Sequence, residues 1–331
     1  MDGASSRYVD QIATEKLLDL KLRKVRHQPT KFYTPDIYTL NKDELDQLAG
    51  KREAFTDFVL KPGMFSFLSC ITTEYLENNR VWCNYDQVEN ARGEVILIHG
   101  LYEDNRQIYQ YLITVLNKQG LNVTLYSLPF HYERKPADSL FSGEYFFSAD
   151  IFLSLLAFKQ AVYDLYLLYC YLKQTRQQKV ALVGFSMGGG ISLLLSILCK
   201  DIDGLFVINP VVRFSELIWE RPLCATIKQD LEDYGMSYAQ IKNLMLGFEP
   251  LKISQPATPV TQISLAKGIY DQINDPQDYN RLADRWNIQN VISYKAGHLN
   301  ILRVPRLCTD ILNFYFHSNR QEDGGVAYEL L

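Results

Sequence analysis

The sequence has no surplus of basic charge: 34 lysines and arginines face 38 aspartates and glutamates, for a formal net charge of -4 and a pI near 5.8. It also has no Lys/Arg block interleaved with aromatics, so the electrostatic footprint of a nucleic-acid partner is missing. The six cysteines, Cys70, Cys83, Cys170, Cys199, Cys224 and Cys308, are scattered. They form neither the close pairs of a zinc site nor the density of a disulfide scaffold, which fits a reducing compartment. Uninterrupted apolar runs are absent too. The most apolar stretch, "LLAFKQAVYDLYLLYCYL", is broken by Lys159, Gln160 and Asp164 before it reaches the roughly 18 residues of a membrane span. The first residues, "MDGASSRYVDQIATEKLLDL", lack the basic start and continuous apolar stretch of a secretory signal. The expectation is a soluble, cytoplasmic protein with no nucleic-acid partner.

What is present is ordinary globular material, 47% hydrophobic and 22% charged, and this excludes wholesale disorder. A chain of 331 residues can hold one large domain with additions. Residues 6–26 place Ile12, Leu17, Leu18, Leu20, Leu22 and Val25 among charges, with Lys21, Arg23, Lys24 and Arg26 at the end. That spacing predicts an amphipathic helix, packed on its own domain or laid on a membrane surface. Asn41 is placed to cap a second helix, "KDELDQLAG". Residues 1–55 therefore read as an N-terminal helical extension.

From residue 65 the period changes to two, and "FSFLSCITTEYLENNRVWCNYDQ" predicts an antiparallel hairpin turning at "ENN". Short apolar runs follow: "EVILIHG", "LNVTLYSLP", "KVALVGFS", "LFVINPV", "PVTQISLAKG" and "NVISYKAG". Stretches of helical spacing, notably 147–175 and 187–200, separate most of them. Alternating strands and helices predict an α/β fold, with a mostly parallel central sheet covered by helices on both faces, over residues 56–331. One connection, about 213–258, is too long for a simple crossover and reads as a helical cap insertion. Trp219, Leu223, Tyr234, Met236, Leu244, Met245 and Phe248 are its apolar points, lining a pocket or forming its own core.

Within "KVALVGFSMGGGISLLL", Gly184, Ser186 and Gly188 form G-x-S-x-G, with a predicted strand directly before and a helix directly after. In that context only small residues two positions either side fit around a strained serine, whose hydroxyl projects from the sheet edge at a helix N-terminus. A plain packing turn is the competing reading. A serine nucleophile needs a base, and there are five histidines: His27, His99, His131, His298 and His317. His298, in "KAGHLNIL", follows the last predicted strand, where a loop can return an imidazole to the sheet edge. An acid must orient that imidazole. Asp271 follows the preceding strand closely, with Asp275 as the alternative. Two oxyanion donors would be the backbone N–H of Met187 and that of Leu101 or Tyr102, in a loop shaped by His99 and Gly100. His99, Tyr102 and Trp219 are the candidate binding residues.

Taken together, His99-Gly100, Gly184 to Gly188, Asp271 and Gly297-His298 occur in the order found in α/β-hydrolases, and residues 92–316 resemble that superfamily. His131, in "LPFHYER", is similar to a loop histidine of the same hydrolases. The loop "HGLYEDN" departs from their longer glycine-rich forms. The resemblance implies a serine esterase or lipase-like enzyme with the triad Ser186, Asp271 and His298. It would need neither metal nor organic cofactor and would act on a small-molecule or lipid acyl ester or thioester. The other readings are a ligand-binding protein on a hydrolase fold and a lipid deacylase held at a membrane through residues 6–26.

Overall fold

A computed structural model describes residues 2–30, 38–50, 58–253 and 255–317. The expected domain boundary at residues 55 and 56 lies outside the described residues, as do Ser254 of the expected insertion and residues 318–331 of the expected hydrolase domain.

Among the described residues the strands form one nine-stranded sheet in the order β1-β2-β3-β5-β4-β6-β7-β8-β9. The strands are β1 (Val59–Lys61), β2 (Met64–Leu68), β3 (Arg80–Asp86), β4 (Gly93–Ile98), β5 (Leu121–Tyr126), β6 (Val180–Phe185), β7 (Leu205–Ile208), β8 (Ile263–Gly268) and β9 (Asn290–Tyr294). From β5 to β9 the sheet is parallel, and β1, β2 and β3 extend it antiparallel. β4 lies between β5 and β6, with Ile96 opposite both Thr124 and Leu182. All six of its residues are buried. This is why the parallel strands read in the sequence as continuous apolar runs.

Alternation along β4 divides the core in two. Val95 and Leu97 pack with α3 (Gln110–Lys118) and α10 (Pro305–His317). Ile96 and Ile98 face the other core, with α4 (Ile151–Arg176), α5 (Met187–Leu198) and α9 (Pro276–Trp286). By length and composition α4 alone of the described helices could cross a membrane, yet 83% of its most apolar window is buried. The polar residues that interrupt its sequence each have a partner. Asp164 pairs with the buried Arg134 at 2.9 Å, Lys159 with Glu44 at 2.8 Å, and Gln160 accepts from Asn78 at 2.8 Å.

Two local expectations change. The "ENN" of the hairpin is not a tight turn but part of a 3-10 helix, Leu76–Asn79, in a longer link between β2 and β3. The tight turn is one strand earlier, where Gly63 at φ 69° joins β1 to β2. The first helix, α1 (Gly3–Leu20), buries a mainly polar face made of Ser6, Asp10, Thr14 and Leu18, while Leu20 is 63% exposed. Burial there follows hydrogen bonding across the fold rather than hydrophobic spacing. Asn41 does accept from Asp43 and Glu44 at the start of α2 (Lys42–Gly50), as its position suggested.

Between β7 and β8 run α6 (Phe214–Glu220), α7 (Ala225–Asp233) and α8 (Tyr238–Met245). Leu223, Met245 and Phe248 are buried there, whereas Tyr234 is exposed and no part of that core. Phe158 of α4 joins this segment to the sheet core, with ring centroids 4.7 Å from Phe214 and 6.0 Å from Phe248. We expect Phe158→Ala to lose about 3–5 kcal/mol in denaturant unfolding. An exposed substitution such as Leu76→Ala, measured alongside, should stay within about 0.5 kcal/mol.

Candidate active site

Ser186 sits between β6 and α5 with φ 54° and ψ -115°, a backbone conformation that L-residues rarely adopt. Its amide donates to Ile208 O at 2.9 Å, and its carbonyl accepts from Gly190 N at 3.1 Å and Val211 N at 3.0 Å. The flanking glycines are sterically required. A Cβ on Gly184 would lie 2.7 Å from Gly188 O, and one on Gly188 would lie 2.4 Å from Ile98 O. Gly190 has its own reason, for its Cβ would meet Val211 O at 2.5 Å.

The loops after β8 and β9 converge on this serine. His298 Nε2 is 2.8 Å from Ser186 Oγ, and His298 Nδ1 is 2.7 Å from Asp271 Oδ2. Asp271 is fully engaged. Its Oδ1 accepts from Ile273 N at 2.8 Å and Asn274 N at 2.9 Å, and its Oδ2 also accepts from Tyr279 OH at 2.7 Å. Asp275, the alternative acid, caps α9 by accepting from Gln277 N and faces Arg221. Ser186 is 7% exposed, and His298 and Asp271 are buried.

Two opposing effects set the protonation of His298. Burial disfavours the imidazolium, but the adjacent Asp271 carboxylate, with Asp10 and Glu103 further off, outweighs burial and holds the pKa above the ordinary histidine value. With Nδ1–H directed at Asp271, Nε2 of the neutral ring is the acceptor that faces the serine hydroxyl. A serine, an imidazole and a buried carboxylate in this sequence of hydrogen bonds can transfer the hydroxyl proton to the ring and hold the resulting charge.

At the N-terminus of α5 the Met187 N–H is an unsatisfied helix donor. Neither it nor the Leu101 N–H makes a hydrogen bond among the described residues. The loop that carries Leu101 is braced from below. His99 is buried, with Nε2 accepting from Leu128 N at 3.0 Å and Nδ1 donating to Gly100 O at 2.7 Å. Burial holds its pKa far below the usual value, so it is neutral. His131 Nε2 accepts from Tyr102 N at 3.3 Å, and burial pushes its pKa down to about 3. Glu103 accepts from Gly100 N at 3.0 Å, Tyr109 OH at 2.7 Å and Tyr132 OH at 3.0 Å, and burial pushes its pKa up to about 7.

Each of the three candidate binding residues has partners within the protein. His99 has both ring nitrogens engaged and shapes the loop. Tyr102 is buried at φ 60°, its N–H directed at His131 and its hydroxyl at Phe147 O. That leaves Leu101, not Tyr102, with the free amide. Trp219, on α6, packs within the helical segment, 5.6 Å from the Tyr238 ring with Lys228 over its face. A cavity of about 680 Å³ is lined from the 105–111 and 302–305 segments, and none of Ser186, Asp271 and His298 borders it.

Two supporting residues had no signal in the sequence. Tyr279, on α9, donates to Asp271. Asn209, at φ 44° after β7, donates to Gly297 O and His298 O and accepts from Gly268 N at 2.7 Å, tying the loops after β8 and β9 together. Only an asparagine following a strand marks the second position.

Comparison with known proteins agrees with this architecture. Residues 94–247 match the family model described as alpha/beta hydrolase fold. The chain is similar to the acetyl xylan esterase from Paenibacillus sp. R4, at 13% identity over 89% of this chain and 97% of that one, with a TM-score of 0.57. It is also similar to a soluble variant of the Saccharomyces cerevisiae monoglyceride lipase, solved with a substrate analog, at 16% identity over 76% and 96% and a TM-score of 0.52. A third is acetyl xylan esterase 1 from Thermoanaerobacterium sp. JW/SL YS485, at 14% identity over 88% and 100% and a TM-score of 0.51. No curated protein matches the sequence. The family match runs from β4 through the Ser186 turn into the helices before β8, and with these structural likenesses it shows that the chain has an α/β-hydrolase fold.

Proposed function

We propose that this protein is a serine hydrolase that cleaves a carboxylic ester or thioester through Ser186, His298 and Asp271. The observation that carries this reading is the unbroken hydrogen-bond chain from Ser186 Oγ through both nitrogens of His298 to Asp271 Oδ2, at 2.8 and 2.7 Å. His298 Nε2 takes the hydroxyl proton as Ser186 Oγ bonds to the acyl carbon, and the carbonyl electrons move onto oxygen. The free amides of Leu101 and Met187 receive that oxyanion. Collapse breaks the bond to the leaving alcohol or thiol, which takes the proton from His298. Water then repeats the sequence on the acyl-serine, releasing the acid and restoring the serine hydroxyl.

A buried serine suits an uncharged acyl group, from a small ester or a lipid. The scattered free thiols fit a cytoplasmic setting. The polar buried face of α1 supports docking on the protein itself rather than on a membrane.

Ser186→Ala should keep the fold and lower turnover of p-nitrophenyl acetate by about 10⁴–10⁶-fold, with loss of fluorophosphonate labelling. Turnover at the wild-type rate would remove the assignment, and absence of labelling in the wild-type protein would favour a ligand-binding role. Because the neutral form of His298 is the base and its pKa is raised, kcat/KM should rise with pH through a midpoint above 6.5. A midpoint well below that value would contradict the dominance of the carboxylates. In Asp271→Asn the burial of His298 loses its main opposing charge, so its imidazole titration, followed by NMR, should move to lower pH.

A further inference from the structure

Asp10 lies 288 residues from His298 in sequence, and its carboxylate is buried against the loops that hold the site. Oδ2 accepts from His298 N at 2.6 Å and from Gln272 N at 3.2 Å, and Oδ1 accepts from Leu299 N at 3.1 Å. One carboxylate on α1 thus joins the backbone of the residue after Asp271 to the backbone of His298 itself. Its neighbours fit the same docking. Ser6 Oγ accepts from Asn300 Nδ2 at 3.1 Å, and a Cβ on Gly297 would lie 2.6 Å from Asp10 Oδ2 and 2.8 Å from Ser6 O. Farther along the chain, Lys21 donates to Tyr102 O at 2.9 Å and pairs with Asp104 at 2.5 Å, reaching the loop that carries Leu101.

Burying a carboxylate is costly, and desolvation does raise the pKa of Asp10 despite these donors. A stabilising role alone is met more cheaply by apolar contact. Three convergent N–H donors from two loops give this carboxylate a geometric role instead, because they fix the distance between the two loops.

Resting on the hydrolase reading above, we infer that Asp10 is a positioning residue: it pins the His298 loop to the Asp271 loop, so the reactive arrangement at Ser186 requires α1 to be docked. Four groups face His298. They are Asp271 from the loop after β8, Asp10 from α1, Glu103 from the loop after β4, and the Ser186 hydroxyl. Asp10 therefore acts on His298 through both its backbone position and its charge.

The test uses the full chain with Asp10→Ala, Asp10→Asn and, as a control, Arg7→Ala. The control removes a different contact of the same helix, the guanidinium over the Tyr270 ring. Asp10→Ala should lower kcat for p-nitrophenyl acetate and the rate of fluorophosphonate labelling by about 10–100-fold, with KM nearly unchanged. Asp10→Asn, which keeps an acceptor and loses the charge, should recover part of kcat, while its His298 titration by NMR moves to lower pH. Arg7→Ala should match wild type. Wild-type kcat in a folded Asp10→Ala overturns the inference and leaves the hydrolase assignment standing. Should Asp10→Ala not fold, Asp10→Asn with unchanged kcat and unchanged His298 titration overturns it equally. A wild-type protein that is not labelled at Ser186 removes the hydrolase reading and the inference with it.

Discussion

A serine at φ 54° costs of order 1–3 kcal/mol of backbone strain, and the centre of this molecule is organised to hold it there. The constraint extends through three strands. Ile208 at the end of β7 accepts the Ser186 amide, while His99 O, just beyond β4, accepts from Gly188 N at 3.0 Å. The loop after β7 returns two further contacts, Val211 N to the serine carbonyl and Val211 O against Gly190. A larger residue at positions 184, 188 or 190 would push against backbone atoms, which have far less freedom to yield than side-chain ends. Strain at one residue is maintained by the two strands that flank β6.

Around that point the electrostatics are one-sided. The histidines nearest the loop after β4, His99 and His131, are held neutral by burial, and the charged groups that face His298 are carboxylates. A neutral bracing layer beneath and an acidic layer beside the imidazole favour an imidazolium when one forms, while leaving the two amides of Leu101 and Met187 as the positive end of the site. Tyr279 and the amides of Ile273 and Asn274 keep Asp271 fully hydrogen bonded, so the carboxylate has little freedom to rotate away from the ring.

Much of this was legible in the sequence, for a physical reason. Strands β4 to β8 are buried on both faces, so their residues are apolar and β-branched in short runs that composition alone exposes. The Gly184 to Gly188 spacing was legible because sterics at the turn act between neighbours in the chain. What could not be read depends on distant partners. Asp10 looks like an ordinary exposed helix residue, since its burial is compensated by backbone amides of residues 272, 298 and 299. The polar part of the buried face of α1 escaped for the same reason: hydrophobic periodicity locates a buried face only when apolar contact is what buries it. Asn209 and Tyr279 are likewise defined by loops that come together only in the folded sheet. The turn at "ENN" failed differently, since a short 3-10 helix and a hairpin turn use the same small polar residues.

The docking of α1 also orders events in time. The helix leaves the ribosome well before its partners, and 288 residues separate Asp10 from His298. At ordinary synthesis rates of about 5–20 residues per second, α1 waits roughly 15–60 s for the loop that receives it. Contacts of such long range form late, after the sheet that presents them. An incomplete chain, even one with β6 and Ser186 already folded, therefore lacks the His298 and Leu299 amides that Asp10 binds, and the loop after β9 completes the seat of the first helix.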